Sequence, residues 1–115
     1  MNPRSLIALV IGFIFVFSVT FYIARRPKMI LFYSNTCPHC QIVAEFIKTN
    51  NIQDKLRFRE LEVSSSPNNQ SLLMAKAKSC GLDTGQGLSV PFFFDGRNCL
   101  IGDTDIINWL KNKTK

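Results

Sequence analysis

The stretch MILFYSNTCPHCQ, residues 29–41, joins a short apolar run to a pair of cysteines. Residues 29–34 have the length and composition of a buried strand, and the polar residues that follow end it. Cys37 and Pro38 then predict the start of a helix, because proline at the first helical position loses no hydrogen bond. Cys37 and Cys40 therefore occupy the first turn of a helix that directly follows a strand.

Two cysteines in this position are suited to disulfide exchange. On a helix their Cβ atoms are about 5–6 Å apart, and a modest adjustment closes a disulfide. Cys37 meets unpaired backbone N–H groups and the positive end of the helix dipole, which both stabilise a thiolate. We predict that Cys37 is the nucleophile and that Cys40, one turn further, resolves the mixed disulfide. Pro38 and His39 complete the predicted site, where a cationic His39 would favour the Cys37 thiolate.

The other two cysteines, Cys80 and Cys99, leave several alternatives open. Together with Cys37 and Cys40 they could bind zinc, but their separation lacks the short spacing of a second zinc knuckle, and we predict no metal. They could remain two buried free thiols. They could also form a structural disulfide that links a helix to an edge hairpin, worth about 3 kcal/mol in the chain-entropy model.

The pattern after the cysteine pair predicts a small α/β domain. In a second strand, at 56–63, the apolar phase switches between Phe58 and Leu61, which indicates either a bulge or two covered faces. Ser66 and Pro67 are placed to cap and open the next helix. Gly81 predicts the end of that helix.

A hairpin and a final helix complete the predicted order βαβαββα. Strands at 91–94 and 99–101 are joined by DGRN, a strong hairpin signal. Asp103 is the predicted cap of the last helix.

The beginning of the chain has a different composition. Residues 5–24 contain no charged residue, and a helix of that length rises about 30 Å, the hydrocarbon thickness of a bilayer. Arg25, Arg26 and Lys28 follow at once, as they do at membrane flanks. A cleaved secretion signal is the alternative, but no A-x-A cleavage site is present. We predict a single-pass anchor with its basic flank in residues 1–27 and a soluble domain in 28–115.

Most of the excess of basic over acidic residues lies beside the apolar run at residues 5–24. Fourteen lysines and arginines against eight acids give a net charge of +6. Arg4, Arg25, Arg26 and Lys28 flank the apolar run, and without them ten bases face eight acids. With no nucleic-acid motif in the sequence, we predict a monomer that contacts the membrane and no nucleic acid.

The strand–CPHC–helix arrangement, with SVPFFFDG at 89–96 and LIGDTDIINWL at 100–110, resembles the glutaredoxin branch of the thioredoxin superfamily. The resemblance implies a thioredoxin-like α/β fold, a four-stranded mixed sheet flanked by helices, and a thiol–disulfide oxidoreductase. It also implies a cis bond between Val90 and Pro91 that faces the cysteine pair. The Val90 backbone would then pair with a substrate strand beside Cys37.

Two departures from the glutaredoxin pattern affect the expected chemistry. Glutathione-binding glutaredoxins carry Gly-Gly before the last helix, whereas this chain has Gly102-Asp103. The Asp103 carboxylate would repel a glutathione carboxylate, so we expect no cofactor beyond the Cys37–Cys40 couple. The Pro-His dipeptide inside the motif resembles the strongly oxidising DsbA-type oxidases, and we expect a couple more oxidising than thioredoxin.

The sequence thus predicts a membrane-tethered oxidoreductase that acts on protein cysteines with an unidentified redox partner. A redox-inactive thioredoxin-like binding module and a cytoplasmic-facing, glutathione-dependent reductase are the alternatives. Three bases after the apolar run, against Arg4 and the α-amino group before it, favour a cytoplasmic domain. The couple and a Cys80–Cys99 disulfide suit an oxidising compartment. We predict an extracytoplasmic domain, with the cytoplasmic side as the alternative.

Overall fold

The computed structural model describes residues 2–24 and 28–115. Arg25 and Arg26 of the predicted basic flank lie outside the described residues. The helices are α1 (Pro3–Ala24), α2 (Pro38–Thr49), α3 (Ile52–Lys55), α4 (Pro67–Ser79) and α5 (Asp103–Lys113). The strands are β1 (Ile30–Tyr33), β2 (Arg59–Glu62), β3 (Phe92–Phe94) and β4 (Cys99–Ile101).

The strands form one four-stranded mixed sheet in the order β2-β1-β3-β4. β1 pairs with β2 in parallel, and it pairs with β3 in antiparallel register. β3 and β4 form the predicted hairpin, in which Phe94 lies opposite Cys99. The predicted fold class, a four-stranded mixed sheet flanked by helices and preceded by a long apolar helix, is confirmed.

Helices cover both faces of the sheet. Because successive strand residues point to opposite faces, side chains of both orientations are buried. Leu31 and Phe93 pack on one face against α2 and α5, with Val43 and Ile106 among their neighbours. The other face, which includes Phe32, packs against α4. This arrangement accounts for the almost continuous apolar runs of β1 and β3.

The phase switch in the second strand reflects two covered faces. Phe58 belongs to the α2 and α5 side of the core, whereas Leu61 and Val63 pack on the α4 side. Even and odd positions point to opposite faces, so these residues alternate regularly without a bulge.

The chain between α2 and β2 contains a short helix, α3, that the sequence pattern did not predict. Asn51 adopts a left-handed conformation with φ 50° and separates α2 from α3. The Gln53 side-chain amide then donates to the Phe58 carbonyl over 3.2 Å. Ile52 is 1% exposed and packs in the core. Because its neighbours in the sequence are polar, the sequence pattern does not indicate this contact.

The predicted helix ends are correct at α4 and wrong by one residue at α5. Ser66 caps α4 and accepts a hydrogen bond from the Asn69 backbone over 3.3 Å. At α5 the cap is Gly102, with φ 92°, and it makes no side-chain capping bond. Asp103 is instead the first helical residue. The chain must turn sharply from β4 into α5, and Gly102 supplies the positive φ that the turn requires.

The cysteines outside the motif are joined to each other. Cys80, at the end of α4, and Cys99, at the start of β4, form a disulfide with a Cα–Cα distance of 6.1 Å. This bond links α4 to the edge strand of the sheet. It also leaves the zinc alternative without two of its four ligands.

Helix α1 stands apart from this core. Its large apolar side chains, from Leu6 to Ile23, are all at least 43% exposed. Within the described residues, Pro3–Ile23 is the one helix long and apolar enough to cross a membrane. A core helix would bury such side chains, whereas membrane anchors and signal sequences both leave them exposed. The proposed division at residue 27 stays a prediction.

Candidate active site

Cys37 is the last residue of the short loop between β1 and α2. Its backbone is extended, with φ −95° and ψ 115°, and α2 begins at Pro38. The Cys37 sulfur accepts a hydrogen bond from the Cys40 backbone N–H over 3.2 Å. A cysteine therefore occupies the capping position that serine or aspartate usually fills, and the bond it accepts strengthens when the sulfur is a thiolate.

Cys40 has a different environment, although it is only one turn away. It is buried, with 3% of its surface exposed, whereas Cys37 is partly exposed. Burial raises the pKa of the Cys40 thiol from 9.0 to about 12, and the hydrogen bond with Cys37 adds to the increase. Neither Cys37 nor Cys40 is in a disulfide in this structure. At neutral pH, Cys40 therefore remains a neutral thiol.

The segment before β3 lies against Cys37. The Val90–Pro91 peptide bond is cis, and the Cys37 thiol donates to the Val90 carbonyl over 3.5 Å. Pro91 is fully buried, and Phe92 pairs with Phe32. The register of β3 on β1 therefore brings Val90, distant in sequence, to the start of α2.

Residues 88–90 carry backbone groups that no secondary structure uses. Leu88 and Val90 are half-buried and Ser89 is exposed. Within the described ranges, the backbone N–H groups of these residues donate no hydrogen bond. Unpaired backbone N–H groups are donors with which another polypeptide can pair as an added strand.

The ends of two helices meet beside the cysteine pair. His39 Nδ1, near the start of α2, lies 3.2 Å from Asp103 Oδ1, at the start of α5. His39 is 67% exposed and Asp103 is 24% exposed. Both residues stand out in the sequence, but no local pattern signals a contact across the 63 residues between them.

The cysteine pair at the start of α2 and the cis peptide bond beside it lie in a domain with a glutaredoxin-like fold. Among solved structures, the chain is similar to reduced Escherichia coli glutaredoxin, with a TM-score of 0.51 and 19% sequence identity. The alignment covers 73% of this chain and 93% of that one. At this identity the likeness shows the fold alone.

Neither a protein-family model nor a curated protein sequence matches this chain. The roles of Cys37, Pro38, His39, Cys40 and the Val90–Pro91 segment therefore rest on the geometry described above, and they stay predictions.

Proposed function

We propose that the protein is a membrane-tethered thiol–disulfide oxidoreductase that exchanges disulfides with protein cysteines through Cys37 and Cys40. The observation that carries the proposal is the contrast between the two sulfurs. Cys37 is partly exposed and accepts the N–H group of Cys40, whereas Cys40 is buried and its pKa is raised to about 12. Disulfide exchange needs one accessible thiolate and one protected thiol in reach of it.

The reaction follows from this contrast. The Cys37 thiolate attacks one sulfur of a substrate disulfide, and the other substrate sulfur leaves as a thiolate and takes a proton. Cys40 then loses its proton and attacks the Cys37 sulfur of the mixed disulfide, which releases the second substrate thiol. Two electrons pass from the Cys37–Cys40 dithiol to the substrate. The reverse sequence oxidises a substrate dithiol, and an unidentified redox partner restores the couple without a bound cofactor.

Residues 88–90 are the proposed docking segment for the substrate polypeptide. Their free backbone N–H groups and the position of Val90, 3.5 Å from the Cys37 sulfur, support this role. A substrate strand paired here would present its cysteine to Cys37 through main-chain hydrogen bonds that are independent of sequence. This mode suits a polypeptide better than free glutathione, which the Asp103 carboxylate would also repel.

The remaining part of the proposal concerns location. Helix α1 has the length and exposed apolar surface of a single-pass anchor. The Cys80–Cys99 disulfide supports an extracytoplasmic domain, because structural disulfides persist in oxidising compartments.

Two single substitutions test the chemistry. Cys37→Ser should abolish exchange with a disulfide-bonded protein substrate, because no other described thiol is free and partly exposed. Cys40→Ser should retain the first step and accumulate mixed disulfides, which non-reducing electrophoresis and mass spectrometry detect. Full exchange activity in Cys37→Ser would refute the assignment of the nucleophile. A Cys40→Ser variant that works only with added glutathione would instead indicate the glutathione-dependent reductase.

A further inference from the structure

The soluble domain has two chemically different ends. β1, β2 and β4 run in the same direction, and α2, α4 and α5 each return from the end where Cys37 lies. The opposite end, which we call the basal end, consists of Lys28, α3, the start of β2, the β3–β4 turn and the carboxyl-terminal turns of the three long helices. The chain enters the soluble domain at this end.

The basal end holds every lysine and arginine of the soluble domain. Three of the fourteen in the chain precede residue 28, which leaves eleven. Ten of these eleven are exposed, and Lys76 is half-buried over the Phe94 ring. They are Lys28, Lys48, Lys55, Arg57, Arg59, Lys76, Lys78, Arg97, Lys111, Lys113 and Lys115.

Acidic residues do not balance this charge. Asp54, Glu60, Asp83 and Asp95 are the acids nearest to the basal end, and Glu60 accepts a hydrogen bond from Gln53 in α3 over 3.4 Å. Asp103 and Asp105 lie in the first turn of α5, at the Cys37 end. The domain is therefore strongly positive at one end, although its eleven bases exceed its eight acids by only three.

Helix dipoles explain only part of the pattern. Lysines in the last turns of α2, α4 and α5 interact favourably with the negative end of each helix. Lys28, Arg57, Arg59 and Arg97 lie outside these helices, and no dipole accounts for them. These four bases therefore add to the positive charge of the basal end without a helix dipole that offsets it.

The short covalent link to α1 would place the surface of a bilayer that holds α1 close to the basal end. Only residues 25–27 separate Ala24, the end of α1, from Lys28, so four residue steps span at most about 14 Å. Lys28 lies beside the β3–β4 turn, since a Cβ at Gly96 would be 3.7 Å from its Cβ. A bilayer that holds α1 therefore meets the basal end at a distance comparable to the Debye length of about 10 Å.

We propose that the basal end binds the anionic headgroups of the membrane that holds α1. Lysine and arginine near such a surface are attracted by its negative potential. This contact holds the domain upright on the bilayer and directs Cys37, Val90 and the α2 start away from the lipid, toward protein substrates. The inference rests on the membrane tether of the proposed function, and it adds an orientation to it.

The full-length chain in lipid nanodiscs tests the orientation. Trp109 is the only tryptophan of the chain, and its ring lies 5.6 Å from Lys113 Nζ, near the basal end. Nitroxide groups on lipid headgroups quench nearby tryptophan fluorescence. Quenching should be stronger in discs that contain phosphatidylglycerol than in discs of phosphatidylcholine alone, and high salt should remove the difference.

Matched variants separate position from net charge. The triple variant Lys48→Gln, Lys78→Gln and Arg97→Gln should lose the quenching that depends on anionic lipid. The control variant Asn68→Asp, Ser71→Glu and Thr104→Glu removes the same net charge but changes exposed positions in the first two turns of α4 and α5. It should retain the quenching, because these positions face away from the basal end.

The outcomes that would overturn the inference are distinct. Flotation with protein-free lipid vesicles of either composition reports the tether itself, and a chain that does not float would remove the tether and this inference together. A chain that floats but is quenched equally in both kinds of disc would overturn the inference alone. Binding of a labelled oligonucleotide by such a chain, lost in the triple variant, would assign the basal end to nucleic acid.

Discussion

At the scale of single residues, Cys37 and Cys40 differ because one caps a helix and the other is packed beneath it. The capping position gives the Cys37 sulfur a backbone N–H donor. Burial removes the Cys40 sulfur from water and so disfavours its charged form. The same short motif therefore contains one partly exposed thiol that accepts a backbone hydrogen bond and one buried thiol whose pKa is raised.

This contrast predicts selective alkylation. With iodoacetamide at neutral pH, the reduced protein should be modified at Cys37, while Cys40 should stay unmodified. The thiolate is the reacting form, and a thiol whose pKa is raised to about 12 remains protonated at any pH well below that value. Peptide mass spectrometry identifies the modified residue. Unfolding in denaturant should expose Cys40 to the reagent, and its modification in the folded protein at neutral pH would contradict the prediction.

The contact between His39 and Asp103 predicts opposite effects on the reduction potential. His39→Ala should lower the potential, because a cationic imidazole near Cys37 stabilises the reduced, thiolate form. Asp103→Asn should raise it, because a negative charge is removed from the same end. We expect shifts on the order of 10–30 mV in equilibrium with a glutathione buffer.

Asp105→Asn is the matched control, since Asp105 is exposed on the same turn of α5 and makes no ion pair among the described residues. It should shift the potential less than Asp103→Asn. An unchanged potential in His39→Ala would reduce His39 to a surface residue.

At the scale of elements, the site depends on where the strands and helices end. β1 and α2 meet at Cys37, β3 begins beside Val90, and α5 begins where His39 can reach Asp103. The Cys80–Cys99 disulfide lies elsewhere, between α4 and the edge strand β4. Its contribution is to stability, because it restricts the unfolded chain without contacting the Cys37 pair.

The double variant Cys80→Ala and Cys99→Ala should therefore lose stability and retain exchange chemistry. Closing a loop with a sequence separation of 19 residues stabilises by about 3 kcal/mol in the chain-entropy model. Denaturant unfolding of the detergent-solubilised chain, without added thiol, measures the free energy of unfolding. Cys37→Ser, which keeps this disulfide, should unfold close to the wild type. Equal stability of the double variant and the wild type would show that the bond contributes nothing.

At the scale of the whole molecule, the protein combines an exposed apolar helix with a domain that has its basic residues at one end and the cysteine pair at the other. The proposed contact of the basal end with lipid would direct Cys37 away from the membrane. The side of the membrane is a separate question, since the charge count around α1 favours the cytoplasm and the disulfide favours an oxidising compartment.

A membrane-impermeant thiol reagent determines the side. Applied to intact cells after mild reduction, it should label Cys37 if the domain is extracytoplasmic. The Cys37→Ser variant is the control, because its remaining motif thiol, Cys40, is buried. Protection of Cys37 until the membrane is opened would place the domain in the cytoplasm.

Local sequence signals predicted most of the elements and the position of the cysteine pair. Cys37 at the start of α2, Ser66 at the start of α4 and the turn between β3 and β4 each follow from a few neighbouring residues. Such features depend on backbone conformations within one turn, and residue type limits those conformations strongly. The apolar composition of α1 is likewise readable without any structure.

Contacts between distant residues were decided only by the tertiary structure. The pairing of Cys80 with Cys99, left open by the sequence, and the ion pair of His39 with Asp103 depend on how α4 and α5 pack on the sheet. The concentration of bases at one end likewise appears only when three helices return in the same direction. The sequence predicted the start of α5 one residue too late, because a cap pattern contains no information on the turn that β4 imposes. Local conformational preference determined the elements, and packing between them determined which side chains meet.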